Sequence, residues 1–245
     1  MSTKPGTWNG LLIGVAGGRK AGSSLLAKCL AEDLASDASN RGLVLLADIA
    51  AAGADQAPSQ DRPHMVARAH VRTEDDLEDL MGGYRFVIAD IGTDISGFVG
   101  IEPTGAAQGA PLAMAALRLS DLIVVVGTAD TRSLNSLVQT IETLDGLVGA
   151  DRVLPVVNRL PRGFKRRLAA VFETVRLLAS SSAFAAGDPV LITEGDTVQL
   201  DARAGPTPPW SLVRPLSSEV RLRLATALRI GGTTTTSVPS SFAGD

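Results

Sequence analysis

A strand-length apolar run, a glycine-rich loop and a helical pattern follow one another without interruption near the start of this 245-residue chain. Residues 11–15 are apolar or glycine, which predicts a buried strand, and residues 25–34 repeat leucine and alanine at helical spacing. The loop between them, residues 16–24, is rich in small residues, so its backbone N–H groups can converge without steric clash. The helix adds partial positive charge at its N-terminus, and the segment therefore predicts a phosphate-binding turn.

The loop matches most of the pattern G-x-x-x-x-G-K-[ST], the Walker A signature of a phosphate loop. Gly17, Gly22 and Ser24 occupy its glycine and hydroxyl positions, but Ser23 stands where the pattern has lysine. Because serine offers a hydroxyl in place of a positive charge, phosphoryl transfer would lose its main neutralising group. A glycine-rich turn without a ligand is the alternative. The residues predicted to contact a nucleotide here are Gly17, Gly18, Arg19, Lys20, Ala21, Gly22, Ser23 and Ser24.

Two later apolar runs end in a carboxylate: residues 43–48 end at Asp48, and residues 84–90 end at Asp90. Acids at the C-terminal ends of parallel strands face the crevice where open α/β sheets bind ligands. We expect Asp90, together with the Ser24 hydroxyl, to hold Mg²⁺ opposite the phosphates. We expect Asp48 to reach a metal-bound water or a nucleophile, with an ordinary strand-end cap as the alternative.

Strand-length apolar runs alternate with helical patterns along the chain, without the period of two that half-exposed strands show. This predicts the α/β class, as a doubly wound, mostly parallel sheet with helices on both faces. We expect a single domain over residues 1–230 and a disordered tail over the Gly-, Thr- and Ser-rich residues 231–245. The other predicted strands cover residues 64–72, 121–126, 152–159 and 189–192, and the other predicted helices cover residues 73–80, 114–119, 134–144, 168–178 and 218–230.

Composition narrows the classes of function. The formal net charge is −3, so the chain as a whole is not attracted to nucleic acid or anionic lipid. The single cysteine, Cys29, excludes an intramolecular disulfide, and His64 and His70 lack the spacing of metal ligands. The sequence shows neither a signal-peptide pattern nor a membrane-spanning apolar run, so we expect a cytoplasmic protein without a direct membrane anchor.

Five segments, taken in order, resemble the MinD/ParA-like branch of the P-loop ATPases, and within it the divergent CpaE/TadZ and septum-site-determining proteins. The segments are GGRKAGSS at 17–24, LVLLADIAAAG at 43–53, YRFVIADIG at 84–92, SDLIVVVGTADTRSL at 120–134 and VLPVVNRLPRG at 153–163. The resemblance implies a P-loop NTPase domain of SIMIBI-like architecture that binds ATP or ADP with Mg²⁺. It also implies that Asp48 handles the attacking water, that Asn158 hydrogen-bonds the adenine edge, and that Arg159 stacks near the base.

The sequence departs from this family at both of its lysines. The phosphate-loop lysine is replaced by Ser23, and the signature lysine, which in the family reaches across a dimer to the partner's nucleotide, falls at Gly18. Arg19 and Lys20 are the cations that remain in the loop. We therefore predict a regulatory or positioning protein with weak or absent ATP hydrolysis. Its predicted partners are proteins of a septum, pilus or secretion machine, and a second copy in a homodimer.

Two other classes of function stay open. An active ParA-type ATPase that partitions DNA would contact DNA phosphates through the cations Arg162, Lys165, Arg166 and Arg167, although a solvated helix start also explains this cluster. An NAD(P)-dependent oxidoreductase also combines a glycine turn with an acid on the next strand. Against it, the loop lacks G-x-G-x-x-G, and Ile88 follows Tyr84 where short-chain dehydrogenases have lysine.

Overall fold

A computed structural model describes residues 10–18, 20–49, 66–92, 110–161, 186–193 and 213–232. Within these ranges the chain forms strands and α-helices in alternation. The strands are β1 (Leu11–Gly17), β2 (Val44–Asp48), β3 (Ala67–His70), β4 (Phe86–Asp90), β5 (Leu122–Thr128), β6 (Val153–Leu160) and β7 (Val190–Thr193). The helices are α1 (Ser23–Ser36), α2 (Glu74–Gly83), α3 (Ala110–Leu119), α4 (Thr131–Val148) and α5 (Arg214–Gly232).

The strands form one sheet in the order β3-β2-β4-β1-β5-β6-β7, and every pairing in it is parallel. From β1 the chain moves outward to β2 and β3, returns to β4, and then crosses to β5 on the other side of β1. The order of the strands therefore reverses beside β1. Open α/β sheets bind their ligands at the C-terminal ends of the strands at such a point.

The sheet is covered on both faces, as the sequence predicts. Along β1, Leu12 and Ala16 pack in the core layer shared with α2, α3 and α4, whereas Ile13 and Val15 pack in the layer shared with α1 and α5. Both sets of side chains are almost fully buried, so a strand at the centre of this sheet needs apolar residues at every position. This confirms the predicted fold class, including the single parallel sheet.

The ends of some elements differ from those predicted. The helix expected from residue 114 begins at Ala110, because Pro111 is tolerated in a first helical turn. The helix predicted after Thr73 is confirmed, and Thr73 and Asp76 form a reciprocal capping box. The helix α5 extends through Gly232, two residues into the predicted tail. The predicted helix at 168–178, the basic cluster at 162–167 and the rest of the tail lie outside the described residues.

In the portions of the chain that the structure describes, no helix has both the length and the apolar character that crossing a bilayer would require.

Candidate phosphate-binding site

Three neighbouring strands end at the same edge of the sheet. β4 lies between β1 and β2, and its last residue, Asp90, pairs with Val15 on one side and with Asp48 on the other. Residues paired in parallel register point to the same face of a sheet, so the two carboxylates lie side by side. Val15 belongs to the core layer that includes α1. The structure therefore places both predicted acids on the face where α1 begins.

The glycine loop connects β1 to α1 through its own backbone. The Gly18 N–H donates to the Val126 carbonyl at 3.3 Å, and the Ala21 N–H donates to the Gly18 carbonyl at 3.0 Å. Gly22 is the N-cap residue of α1, with a φ of 87°, and it has no side chain to cap the helix. The first turn of α1 also contains no acidic residue. Its N–H groups and the positive end of the helix are thus available to an anion.

Two of the loop glycines are required by close contacts. A Cβ added at Gly17 would lie 2.7 Å from the Val126 carbonyl oxygen, and one added at Gly22 would lie 2.8 Å from Nδ2 of Asn158. Gly18 differs, because no heavy atom lies within 4 Å of its added Cβ. The position that the family resemblance assigns to the signature lysine therefore has space for a side chain.

The Ser24 hydroxyl, in the first turn of α1, forms a hydrogen bond with the Asp90 carboxylate. Burial raises the pKa of Asp90 to about 6; the hydrogen bond from Ser24 opposes this rise, and the negative charge of Asp48 adds to it. Among the described residues, the buried Oδ1 of Asp90 has no hydrogen-bond partner. An unpartnered buried carboxylate oxygen is energetically costly, so a positive or donating group would stabilise this point of the site.

The residues at this point suit Mg²⁺. This ion takes oxygen ligands and keeps several of its waters, so one hydroxyl, one carboxylate and phosphate oxygens are enough to hold it. The Ser24 hydroxyl and the unpartnered Oδ1 of Asp90 provide such oxygens. The described segments contain no group of three or more His, Cys, Asp or Glu side chains arranged to hold a metal, here or at another place. The proposed magnesium site is therefore one that phosphate oxygens would complete.

The structure places Asn158 against the loop. This residue is fully buried at the end of β6, and its Nδ2 donates to the Ala21 carbonyl at 2.8 Å. Its Oδ1 accepts a hydrogen bond from the Arg159 N–H, also at 2.8 Å. This connection was not predictable, because the two residues are 137 positions apart and nothing in the sequence pairs them. Contact between Asn158 and an adenine edge stays a prediction.

Two predicted cationic residues have an unusual backbone conformation. Lys20 has a φ of 66° and Arg159 a φ of 56°, and both residues are exposed. The third predicted cation, Arg19, lies outside the described residues. Of the three predicted cations, the structure thus describes two: Lys20, within the loop, and Arg159, on β6.

A small cleft lies on the other side of the loop, between the ends of β1 and β5 and the helix α4. Its lining includes the backbone of Gly17 and Gly18 and three hydroxyl residues of α4, which are Ser133, Ser136 and Thr140. These residues were not among those predicted from the sequence. The sequence does contain a signal for them, because hydroxyl residues spaced three and four positions apart lie in one row along a helix.

The two glycines at the start of the loop offer a matched pair of substitutions. We expect Gly17→Ala to lower the free energy of unfolding by about 2 kcal/mol, because the new methyl group meets a backbone carbonyl that cannot move aside cheaply. Gly18→Ala should change it by less than about 0.5 kcal/mol, because the added methyl group meets open space. Urea denaturation measures both values. Equal effects of the two substitutions would contradict the described path of the loop.

The raised pKa of Asp90 predicts a dependence of stability on pH. Since the pKa of this carboxyl is higher in the folded chain than its ordinary value of 3.8, its contribution to stability is fully present below about pH 4 and is lost as the pH rises towards 6. Asp90→Asn should therefore raise the free energy of unfolding by about 2 kcal/mol at pH 8, and the gain should vanish near pH 4.

Asp130 provides the opposite control. It caps α4, and hydrogen bonds from the Thr128 hydroxyl and the Ser133 N–H hold the pKa of Asp130 below its ordinary value. Asp130→Asn should therefore lower stability at pH 8, with the loss shrinking as the pH falls through the lowered pKa. Denaturation curves at several pH values would reveal these opposite trends, and a parallel response of the two variants would contradict the assignment.

No protein-family model matches this sequence, and no curated protein does so. Solved structures match the fold over nearly their whole length. A ParA family ATPase from Chlorobium tepidum TLS aligns with 91% of this chain and 99% of its own, at a TM-score of 0.52 and 15% identity. A chain of the MinC:MinD cell division protein complex from Aquifex aeolicus aligns with 96% of this chain and 100% of its own, at a TM-score of 0.51 and 17% identity.

A third match is a putative plasmid partition protein from Borrelia burgdorferi B31 bound to AMPPNP. It aligns with 88% of this chain and 99% of its own, at a TM-score of 0.53 and 14% identity. At identities this low, the structural matches establish a shared fold alone. With its parallel sheet, its glycine loop and its strand-end acids, the chain has the fold of the MinD/ParA-like P-loop ATPases.

Proposed function

We propose that this chain is a MinD/ParA-like nucleotide-binding protein that regulates or positions other proteins, and that it hydrolyses ATP weakly or not at all. The observation that carries this proposal is the contact between Ser24 and Asp90. It joins the hydroxyl of the Walker A pattern to the acid expected to hold Mg²⁺, and within the described part of the chain Oδ1 of that acid has no partner. In a glycine turn with no ligand, nothing would offset the energetic cost of a buried, unpartnered carboxylate at this place.

Each part of the proposed site has a separate task. The backbone of residues 17–24 and the first turn of α1 bind the phosphates of ATP or ADP through N–H groups. Ser24 and Asp90 hold Mg²⁺, which when bound neutralises phosphate charge. Asp48 lies next to Asp90 in register and orients the attacking water. Asn158, if its amide is released from the loop, is the residue proposed to meet the base; the family resemblance also implies that Arg159 stacks near it.

Weak hydrolysis follows from the missing lysines. Ser23 is buried, with only 5% of its surface exposed, and its hydroxyl carries no charge to stabilise the transition state. The loss of such a cation costs on the order of several kcal/mol in phosphoryl transfer. Gly18 likewise has no amino group to offer a partner's nucleotide. The chain would then act mainly through the shape that it adopts when nucleotide is bound or released.

The proposed partners are proteins. Among the matching structures are a MinC:MinD cell division complex and a putative plasmid partition protein bound to AMPPNP. By analogy we propose that this chain binds nucleotide and acts on proteins that place a septum, a pilus or a secretion machine, alone or as a homodimer. Calorimetric titration with ATP, ADP and NADH in the presence of Mg²⁺ tests the ligand class. Binding of NADH alone, or of none of the three, would contradict the proposal.

Two substitutions test the magnesium pair. Ser24→Ala and Asp90→Asn should each weaken Mg²⁺-dependent ATP binding about tenfold or more, since each removes an oxygen that the ion uses. Asp90→Asn should do so although it stabilises the fold at pH 8, so the loss of binding cannot be a loss of structure. Calorimetry with and without Mg²⁺ measures the effect. ATP binding that does not respond to either substitution would contradict the site.

The substitution Ser23→Lys tests the cradle directly. A lysine at this position restores the charge of the Walker A pattern, so we expect ATP affinity to rise about tenfold or more. Ser36→Lys is the control, because it adds the same charge at the exposed C-terminal end of the same helix. Its affinity for ATP should match that of the unmodified chain. Unchanged affinity in Ser23→Lys would count against the loop assignment.

A further inference from the structure

We propose that Lys20 and Arg159 together supply the positive charge for the nucleotide phosphates, in place of the missing lysine at position 23. This inference rests on the proposed nucleotide site and identifies the chain's own cations for it. It differs from the role that the family resemblance gives Arg159, which is to stack near the base.

A single hydrogen bond joins the two backbone segments that carry the cations. Asn158, on β6, donates to the carbonyl of Ala21, in the loop, at 2.8 Å. Lys20 immediately precedes the acceptor, and Arg159 immediately follows the donor. Successive Cα atoms are about 3.8 Å apart, so each cation is attached one residue from this contact. The two cations come from distant parts of the sequence, and the fold brings the segments that carry them together.

Both cations sit in a backbone conformation that favours glycine. Among the described residues, Lys20 and Arg159 are the only non-glycine residues with a positive φ. This region is unfavourable for a residue with a Cβ atom, and such strain tends to persist where a site requires it. Arg159 is also the one exposed residue of the otherwise buried strand β6, at a register shift between Val157 and Leu160. A shift of this kind turns a side chain out of the sheet, here beside the loop.

Neither side chain is engaged by another described residue. Lys20 and Arg159 are both exposed, and within the described segments neither has a hydrogen-bond or ion-pair partner for its charged group. The proposed nucleotide site contains two carboxylates, Asp48 and Asp90, and would also receive the negative charge of the phosphates. Charge-assisted hydrogen bonds to phosphate are among the stronger polar contacts in proteins, and both lysine and arginine make them.

Substitution by glycine tests the pair without straining the backbone. Lys20→Gly and Arg159→Gly remove the charge while keeping a residue that readily adopts a positive φ, so neither variant should melt at a lower temperature than the unmodified chain. We expect each to weaken binding of Mg²⁺-ATP and of tripolyphosphate about tenfold, and the double variant to weaken it about a hundredfold. The remaining affinity should also depend less on salt, because fewer charges are screened.

A second pair of substitutions controls for net charge. A double variant, Arg41→Gln with Arg118→Gln, removes the same charge from two exposed residues. They lie at the opposite end of the strands, shortly before β2 and β5 begin. This variant should bind tripolyphosphate as the unmodified chain does. Adenosine, which has no phosphate, distinguishes the alternative role of Arg159. If Arg159→Gly weakens adenosine binding and leaves tripolyphosphate binding unchanged, Arg159 acts on the base and the inference is overturned.

The remaining outcomes separate this inference from the proposed function. If Ser24→Ala weakens Mg²⁺-ATP binding while the Lys20→Gly and Arg159→Gly double variant binds normally, the nucleotide site stands and the inference fails. If the unmodified chain binds neither ATP nor tripolyphosphate, both fail. A loss of tripolyphosphate binding in the double variant, with unchanged melting temperature and an unaffected charge control, supports the assignment.

Discussion

The parallel pairing of β1 on both of its edges is the constraint on which the rest of the structure depends. β1 lies between β4 and β5, so the loop that follows it emerges beside the end of β4, and its Gly18 N–H reaches the Val126 carbonyl of β5. The same arrangement places Asp90 within hydrogen-bonding reach of α1. A change in strand order would separate the loop from the acid, even if every strand and helix still formed.

Charge is distributed unevenly around this crevice. Asp48 and Asp90 lie on adjacent strands, and burial together with their proximity raises the pKa of Asp90. Opposite them are the uncapped N-terminus of α1 and the Ser24 hydroxyl, which supply partial charge and a hydrogen bond. Partial charges of this kind favour binding of an anion but give less help to a transition state with more concentrated charge. The geometry therefore suits retention of a nucleotide better than its rapid hydrolysis.

Much of the fold could be predicted from the sequence because its signals are local. Apolar runs mark the strands, and the carboxylates that close two of these runs, Asp48 and Asp90, are visible in the sequence itself. Their common orientation was predictable once the sheet was taken as parallel. The contact of Asn158 with Ala21 was not, since it depends on the order of the strands and on the register of β6. The left-handed backbone at Lys20 and Arg159 was equally hidden, because neither residue type signals it.

The close approach of Gly22 to Asn158 has a consequence for how this sequence can change over time. The amide of Asn158 occupies the space that a Cβ at position 22 would need, and Gly22 leaves room for that amide to reach the neighbouring carbonyl. Neither position can change alone. A larger residue at position 22 displaces the amide, and a smaller residue at position 158 leaves the Ala21 carbonyl without this donor. Related sequences should therefore vary at these two positions jointly, which ties the evolution of the loop to that of a strand far along the chain.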